Sequence, residues 1–301
     1  MSFSFKTDLA LENREIYQKA SSQSDETLGI STILDDSDKD FLFTKVSILT
    51  DEASKVLFKP IGDFITIESH LLNSEIPEID EKIIKKVSKT LFETGNISPK
   101  SSILVVGLGN SDITPDSLGS KVVEKLEITR HLAKYSPELL PKNHRLVSAI
   151  IPGVLATTGI DTCEIVKGIV EKTNPELVIV IDALAAKEVH RVGKTIQISN
   201  AGIVPGSGVK NNRNEISEKT LGIPVVALGV PTVVSIPSIV YDATGSLLVE
   251  SEKKRVIESI TLNKNYDFMV TPNTVDDIVE NLSRILAESI NIALQTWFIF
   301  L

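Results

Sequence analysis

The chain reads as an α/β protein: a mainly parallel, doubly wound sheet with helices on both faces, preceded by a small β-rich extension at the N-terminus. Three observations predict it. Short, wholly apolar runs recur from residue 100 onward, at Ile103–Val106, Leu146–Ile151, Leu177–Ile181 and Ile223–Leu228. The first three are closed by Gly107, by Pro152-Gly153 and by Asp182. Amphipathic helical patterns separate them. Continuous apolar strands alternating with such helices are buried on both faces of a parallel sheet, and right-handed crossovers wind it in both directions.

Residues 1–75 are mostly polar and irregular. The acidic run Asp35-Asp-Ser-Asp38-Lys-Asp40 reads as a solvated loop rather than a metal site. Phe43–Leu49 and Phe64–Glu68 alternate like half-buried strands. Ile79, Ile83, Ile84, Val87 and Leu91 then recur at helical spacing, and that helix ends near Gly95. Val122, Val123 and Leu126 mark the next helix. Ile165, Val166, Ile169 and Val170 mark another, stopped by Asn174-Pro175. The last long helix runs from about Thr274 to Gln295, with Thr274 and Asp277 spaced as a capping box and Ile278, Leu282, Ile285 and Leu286 as its buried stripe. The apolar tail Trp297–Leu301 is expected to pack against the domain or a neighbouring subunit.

The 301 residues are 42% hydrophobic and 24% charged, a globular composition, here assigned to one α/β domain. The net charge of −9 repels phosphate backbones, so nucleic acid is not expected as a direct partner. Cys163 is the single cysteine, which rules out an internal disulfide; on its helical pattern it reads as a small core residue, not a nucleophile. No stretch approaches the roughly 18 apolar residues of a membrane span. Met1–Asp8 lacks the basic-then-apolar order of a signal peptide, and a cytoplasmic location is expected.

Sites in open α/β sheets form at the carboxyl ends of strands, which singles out three loops. In the first, Gly107-Leu-Gly109-Asn110-Ser-Asp112-Ile-Thr114-Pro115-Asp116, an aspartate stands where a dinucleotide fingerprint needs its third glycine, so a nicotinamide cofactor is not expected. The glycines let the backbone turn sharply and approach a ligand. Thr114-Pro115 reads as a helix cap and first position, with Asp116 in the first turn. On that feature alone a helix-start carboxylate is the simpler reading. Asp182 opens the second loop. A carboxylate ending a buried strand is costly unless paired or useful, which favours a function over capping. The third loop, Gly202–Gly208, continues into Lys210–Glu215, whose polar groups suit a substrate channel or a plain surface turn. His70, His131, His144 and His190 are scattered and form no short-spaced metal motif.

Together these segments resemble the spore germination proteases. The likeness is carried by Lys6–Ala10, Leu104–Asn110 with Thr114–Gly119, Ile128–Leu132, Ser148–Val154, Ile181–Ala186, Thr195–Ser199, Pro205–Gly208, Leu221–Pro224 and Met269–Pro272, and it is densest over residues 100–235. The resemblance implies an endopeptidase acting on small acid-soluble spore proteins, made as a self-processing zymogen and assembled as a homotetramer. It places the catalytic aspartates at Asp116 and Asp182. From the two glycine-bearing loops themselves, substrate contacts are expected at Gly107, Gly109, Asn110, Gly206 and Gly208. Thr7-Asp8-Leu9-Ala10-Leu11-Glu12 resembles the family's substrates, so residues 1–9 are expected to be a propeptide cut between Leu9 and Ala10.

Longer relatives carry a sizeable segment where this chain has only residues 230–268. Two rival readings stand beside the main one: a metal-dependent endopeptidase of the hydrogenase-maturation type, and a non-catalytic regulator on the same fold. No cofactor is expected, with a divalent metal left open as the alternative use of the two aspartates. In the two-acid reading, a helix N-terminus at Asp116 favours its charged form and an apolar strand at Asp182 favours its protonated form, which assigns base and acid respectively.

Overall fold

The structure, a computed structural model, describes residues 5–21, 24–98, 101–140, 145–206, 214–245 and 247–294. Its centre is one sheet built from β1 (Ile30–Asp35), β2 (Leu42–Ile48), β3 (Gly62–Glu68), β4 (Ser102–Gly107), β5 (Leu146–Ile150), β6 (Leu177–Ala186), β7 (Thr195–Ser199), β8 (Val225–Ser235) and the short β9 (Met269–Val270). The order is β1-β2-β3-β7-β8-β6-β4-β5, with β9 added to β8.

The four apolar runs are the parallel strands β5, β4, β6 and β8, adjacent in the sheet. Alternation sends their side chains to two separate cores. Ile103, Val105, Ile179 and Ile181 pack with the helices Pro77–Gly95, Leu118–Val123 and Val275–Leu294. Leu104, Val106, Val178 and Val180 pack on the other face with Cys163, Val166 and Val170 of helix Thr162–Thr173 and with Leu221. Helices therefore cover both faces, as the fully apolar strands require.

The N-terminal extension is not a separate layer. β1, β2 and β3 continue the same sheet through antiparallel pairs, joined to the parallel half by β7. Burying Ile30, Val46, Ile48 and Phe64 against Ala10 and Leu11 of helix Ala10–Ala20 and Ala53 and Leu57 of helix Asp51–Leu57 gives this half its own core. Among the described residues no helix is long and apolar enough to cross a membrane.

Two strands outrun their apolar signal. β6 continues through Asp182 to Ala186, and β8 runs on beside it to Ser235. Asp182 thus lies inside a strand, not beyond its end, because β8 keeps supplying a partner there.

Candidate active site

β4 lies between β5 and β6, so the chain leaves it on one side and returns on the other. The crevice beyond such a switch point is where α/β sheets bind ligands. A cavity of about 370 Å³ opens there, and both Asp116 and Asp182 line it, with Gly109 and Gly206.

The loop after β4 is shaped by close backbone contacts. A Cβ on Gly107 would stand 2.2 Å from the Gly119 carbonyl oxygen, so strand and following helix meet main chain to main chain. Gly109, at φ 100°, folds the loop back over Asp116. The Asn110 N–H donates to Asp116 Oδ2 at 2.8 Å, and the Asn110 side chain accepts from the Asp112 N–H at 3.0 Å. Gly107 and Asn110 therefore shape the loop and hold Asp116 through the backbone. Thr114–Asp116 form a 3₁₀ turn capped by Ile113, and the α-helix begins only at Leu118. This corrects the expectation of Thr114 as N-cap: Asp116 precedes a six-residue helix instead of sitting in its first turn.

Asp182 is 6% exposed, and its Oδ1 accepts the Ala183 N–H at 2.9 Å. Across the cavity, β8 steadies the opposite loop. Thr232 Oγ1 donates to the Pro115 carbonyl at 2.6 Å, and Thr271 Oγ1 donates to the Thr232 carbonyl at 2.9 Å. Both threonines line the cavity. Thr232 is not marked by its local sequence, since its placement depends on β8 extending past Leu228. Thr271 belongs to the Met269–Pro272 segment of the resemblance and is brought here by the pairing of β9 with β8.

Asp8 also lines the cavity. Its N–H donates to the Ala185 carbonyl at 2.8 Å, and its Oδ2 accepts the Ala185 N–H at 2.9 Å. Leu9 is fully buried with Leu184, Ala186, Val192 and Val234. Ala10 is fully buried too, and its N–H donates to Gln197 Oε1 at 2.8 Å. The Leu9–Ala10 bond is therefore enclosed in this conformation. Glu12 anchors the helix that follows: its carboxylate accepts the Lys187 and Glu188 N–H groups at 2.6 and 2.8 Å and faces Arg191 at 3.3 Å. Burial pushes this carboxyl above its ordinary range, against the Thr7 hydroxyl, the two N–H donors and Arg191.

Gly208, residues 210–213 and His144 lie outside the described residues, as does the apolar tail. Cys163 is buried, and its thiol donates to the Glu215 carbonyl at 3.3 Å, a structural contact. Among the described residues no three His, Cys, Asp or Glu side chains are grouped to hold a metal ion.

The profile of the germination protease family matches residues 10–249. Individual relatives match nearly end to end. A germination protease of Clostridium perfringens is 44% identical, over 97% of this chain and 96% of its own. One from Caldanaerobacter subterraneus is 39% identical, over 96% and 94%. One from Bacillus cereus is 36% identical, over 97% and 94%, in an alignment of 348 positions, so that relative carries segments this chain lacks. On this full-length similarity, the chain belongs to the germination protease family.

Proposed function

We propose that the protein is an endopeptidase of the spore cytoplasm that degrades small acid-soluble spore proteins during germination, using Asp116 and Asp182 as a catalytic pair. The observation that carries this reading is the single cavity lined by both carboxylates at the switch point of the sheet. Peptide hydrolysis needs a base to take a proton from water and an acid to protonate the leaving nitrogen. Asp116, held by the Asn110 N–H, is the base; Asp182, the more buried of the two, is the acid. Water adds to the scissile carbonyl as Asp116 takes its proton. The C–N bond then breaks as Asp182 gives its proton to nitrogen, and a proton returned from Asp116 to Asp182 resets the pair.

The same reading makes the chain a precursor that cuts itself near Leu9–Ala10 and works as a homotetramer. Bringing that bond out of the core exposes Leu9, at roughly 2–3 kcal/mol, and gives up the Ala10–Gln197 hydrogen bond, at about 1 kcal/mol. The open form is then on the order of 1% of molecules or less, which makes processing slow. Incubating the pure full-length chain and its Asp182→Asn variant, with N-terminal sequencing over time, tests this. A shortened N-terminus beginning at Ala10 is expected only in the unaltered protein. The same shortening in the variant would overturn self-processing. Incubation of the processed enzyme with a small acid-soluble spore protein should release fragments; intact substrate would favour the regulator reading.

A further inference from the structure

β4 covers one edge of β6 only as far as Ile181, where Gly107 is its last partner and the Leu108 N–H donates to the Ile181 carbonyl at 2.8 Å. β8 goes on pairing the opposite edge to Ala186. Backbone groups alternate along a strand, so Ala183, Ala185 and Lys187 turn theirs to the side that β4 has left. No named strand pairs with that edge of the stretch among the described residues. An open edge of this kind is a template for another extended chain.

Each N–H along the edge is taken by a carboxylate: Ala183 by Asp182, Ala185 by Asp8, Lys187 by Glu12. The Ala185 carbonyl accepts the Asp8 N–H, so this short N-terminal segment already makes one rung of strand pairing. Leu9 then drops onto the face shared by Leu184 and Ala186. Asp8 is also a wall of a second cavity of about 350 Å³, beside the half-buried Lys59. Burial pushes the Lys59 amine below its ordinary range, and the Asp8 and Glu12 carboxylates oppose that shift.

We propose that the open edge of β6 at Ala183–Lys187 is the docking strand for the substrate main chain. An extended peptide replaces Asp8 and Leu9, its N–H on the Ala185 carbonyl, a carboxylate on the Ala185 N–H, and its next, apolar side chain against Leu184 and Ala186. This pairing lays the peptide beside Asp182. The inference rests on the peptidase reading for its meaning, but its test reads binding alone.

The full-length chain carrying Asp8→Ala, to loosen its own segment, and Asp182→Asn, to prevent turnover, is titrated with the fluorescently labelled peptide acetyl-Phe-Lys-Thr-Asp-Leu-amide. A second peptide is methylated on the aspartate nitrogen. Circular dichroism checks the fold, and amide hydrogen exchange locates the contact. The plain peptide is expected to bind the double variant at least tenfold more tightly than it binds the Asp182→Asn chain, and to slow exchange at residues 183–187. Methylation should weaken binding about tenfold, the worth of one hydrogen bond. No binding up to millimolar peptide, equal binding of the two peptides, or protection confined to other segments would each overturn the proposal. A chain that binds this way yet cuts nothing would leave the docking strand standing and remove the peptidase reading.

Discussion

Gly109 lies so close to Asp116 that a Cβ on it would stand 1.9 Å from the Asp116 carbonyl oxygen and 3.1 Å from its Oδ1. The loop that carries one of the two cavity aspartates is therefore closed by a residue with no side chain, at a φ that other residues rarely adopt. Gly109→Ala has to displace backbone, not a flexible side chain. Its expected outcome is a loss of stability of about 1–3 kcal/mol, read by chemical denaturation, with a fall in kcat as Asp116 moves.

Asp116→Asn and Asp182→Asn should each lower kcat/KM by on the order of a hundredfold or more while circular dichroism shows an intact fold. Exhaustive chelation of the unaltered enzyme should leave activity in place. Activity lost to chelation and restored by one divalent metal would turn both aspartates into metal ligands; full activity in either folded variant would remove that residue from the chemistry.

Arg191 is buried among three glutamates. It pairs with Glu15 through Nη1 and Nη2 at 2.9 and 2.7 Å, with Glu68 through Nε at 2.7 Å, and with Glu12 at 3.3 Å. These partners raise the guanidinium's already high pKa despite its burial. Arg191→Met leaves the carboxylates facing one another in a low-dielectric layer, and breaking such a network costs about 3–5 kcal/mol. Urea denaturation of the variant reads this directly. A change below about 1 kcal/mol would mean that solvent screens the cluster.

The Glu12 carboxyl, pushed up by burial, gives a pH signature of fixed sign. Above its ordinary pKa of 4.5 the unfolded chain has lost the proton that the folded chain still holds. Its contribution is therefore most favourable below that value and declines as pH rises through the folded pKa. Glu12→Gln removes this decline, so the difference in Tm between variant and unaltered protein should climb across that window. A difference that stays flat with pH would show that Glu12 titrates normally.

Cys163, with its thiol raised by burial and bonded to the Glu215 carbonyl, should react slowly with iodoacetamide in the folded state and rapidly in denaturant. Cys163→Ala is expected to keep its activity. Inactivation by the substitution would make the thiol part of the machinery.

The sequence by itself determined the parallel half of the sheet and the helices on its two faces. It named Asp116 and Asp182 as a pair only through the family resemblance, and the structure sets both on one cavity. Strands buried on both faces must be apolar throughout, and that constraint is visible in Ile103–Val106 or Leu177–Ile181 without any partner in view. The antiparallel half was only partly legible. β7 alternates Thr195, Gln197 and Ser199 with isoleucines, yet all five of its residues are buried, because its polar side faces a layer that includes Gln197's bonds to Asp8 and Ala10. Only the tertiary structure decided that β6 runs past Asp182, that Asp116 sits in a 3₁₀ turn, and that Asp8 reaches the cavity. The reach of Asp8 rests on its hydrogen bonds to the distant Ala185, and the length of β6 on its pairing with β8. The turn at Asp116, closed locally by the Asp116 N–H on the Ile113 carbonyl, is held from afar by Thr232 on the Pro115 carbonyl. A local pattern records which face of a segment is buried; it carries no trace of which distant backbone group will complete it.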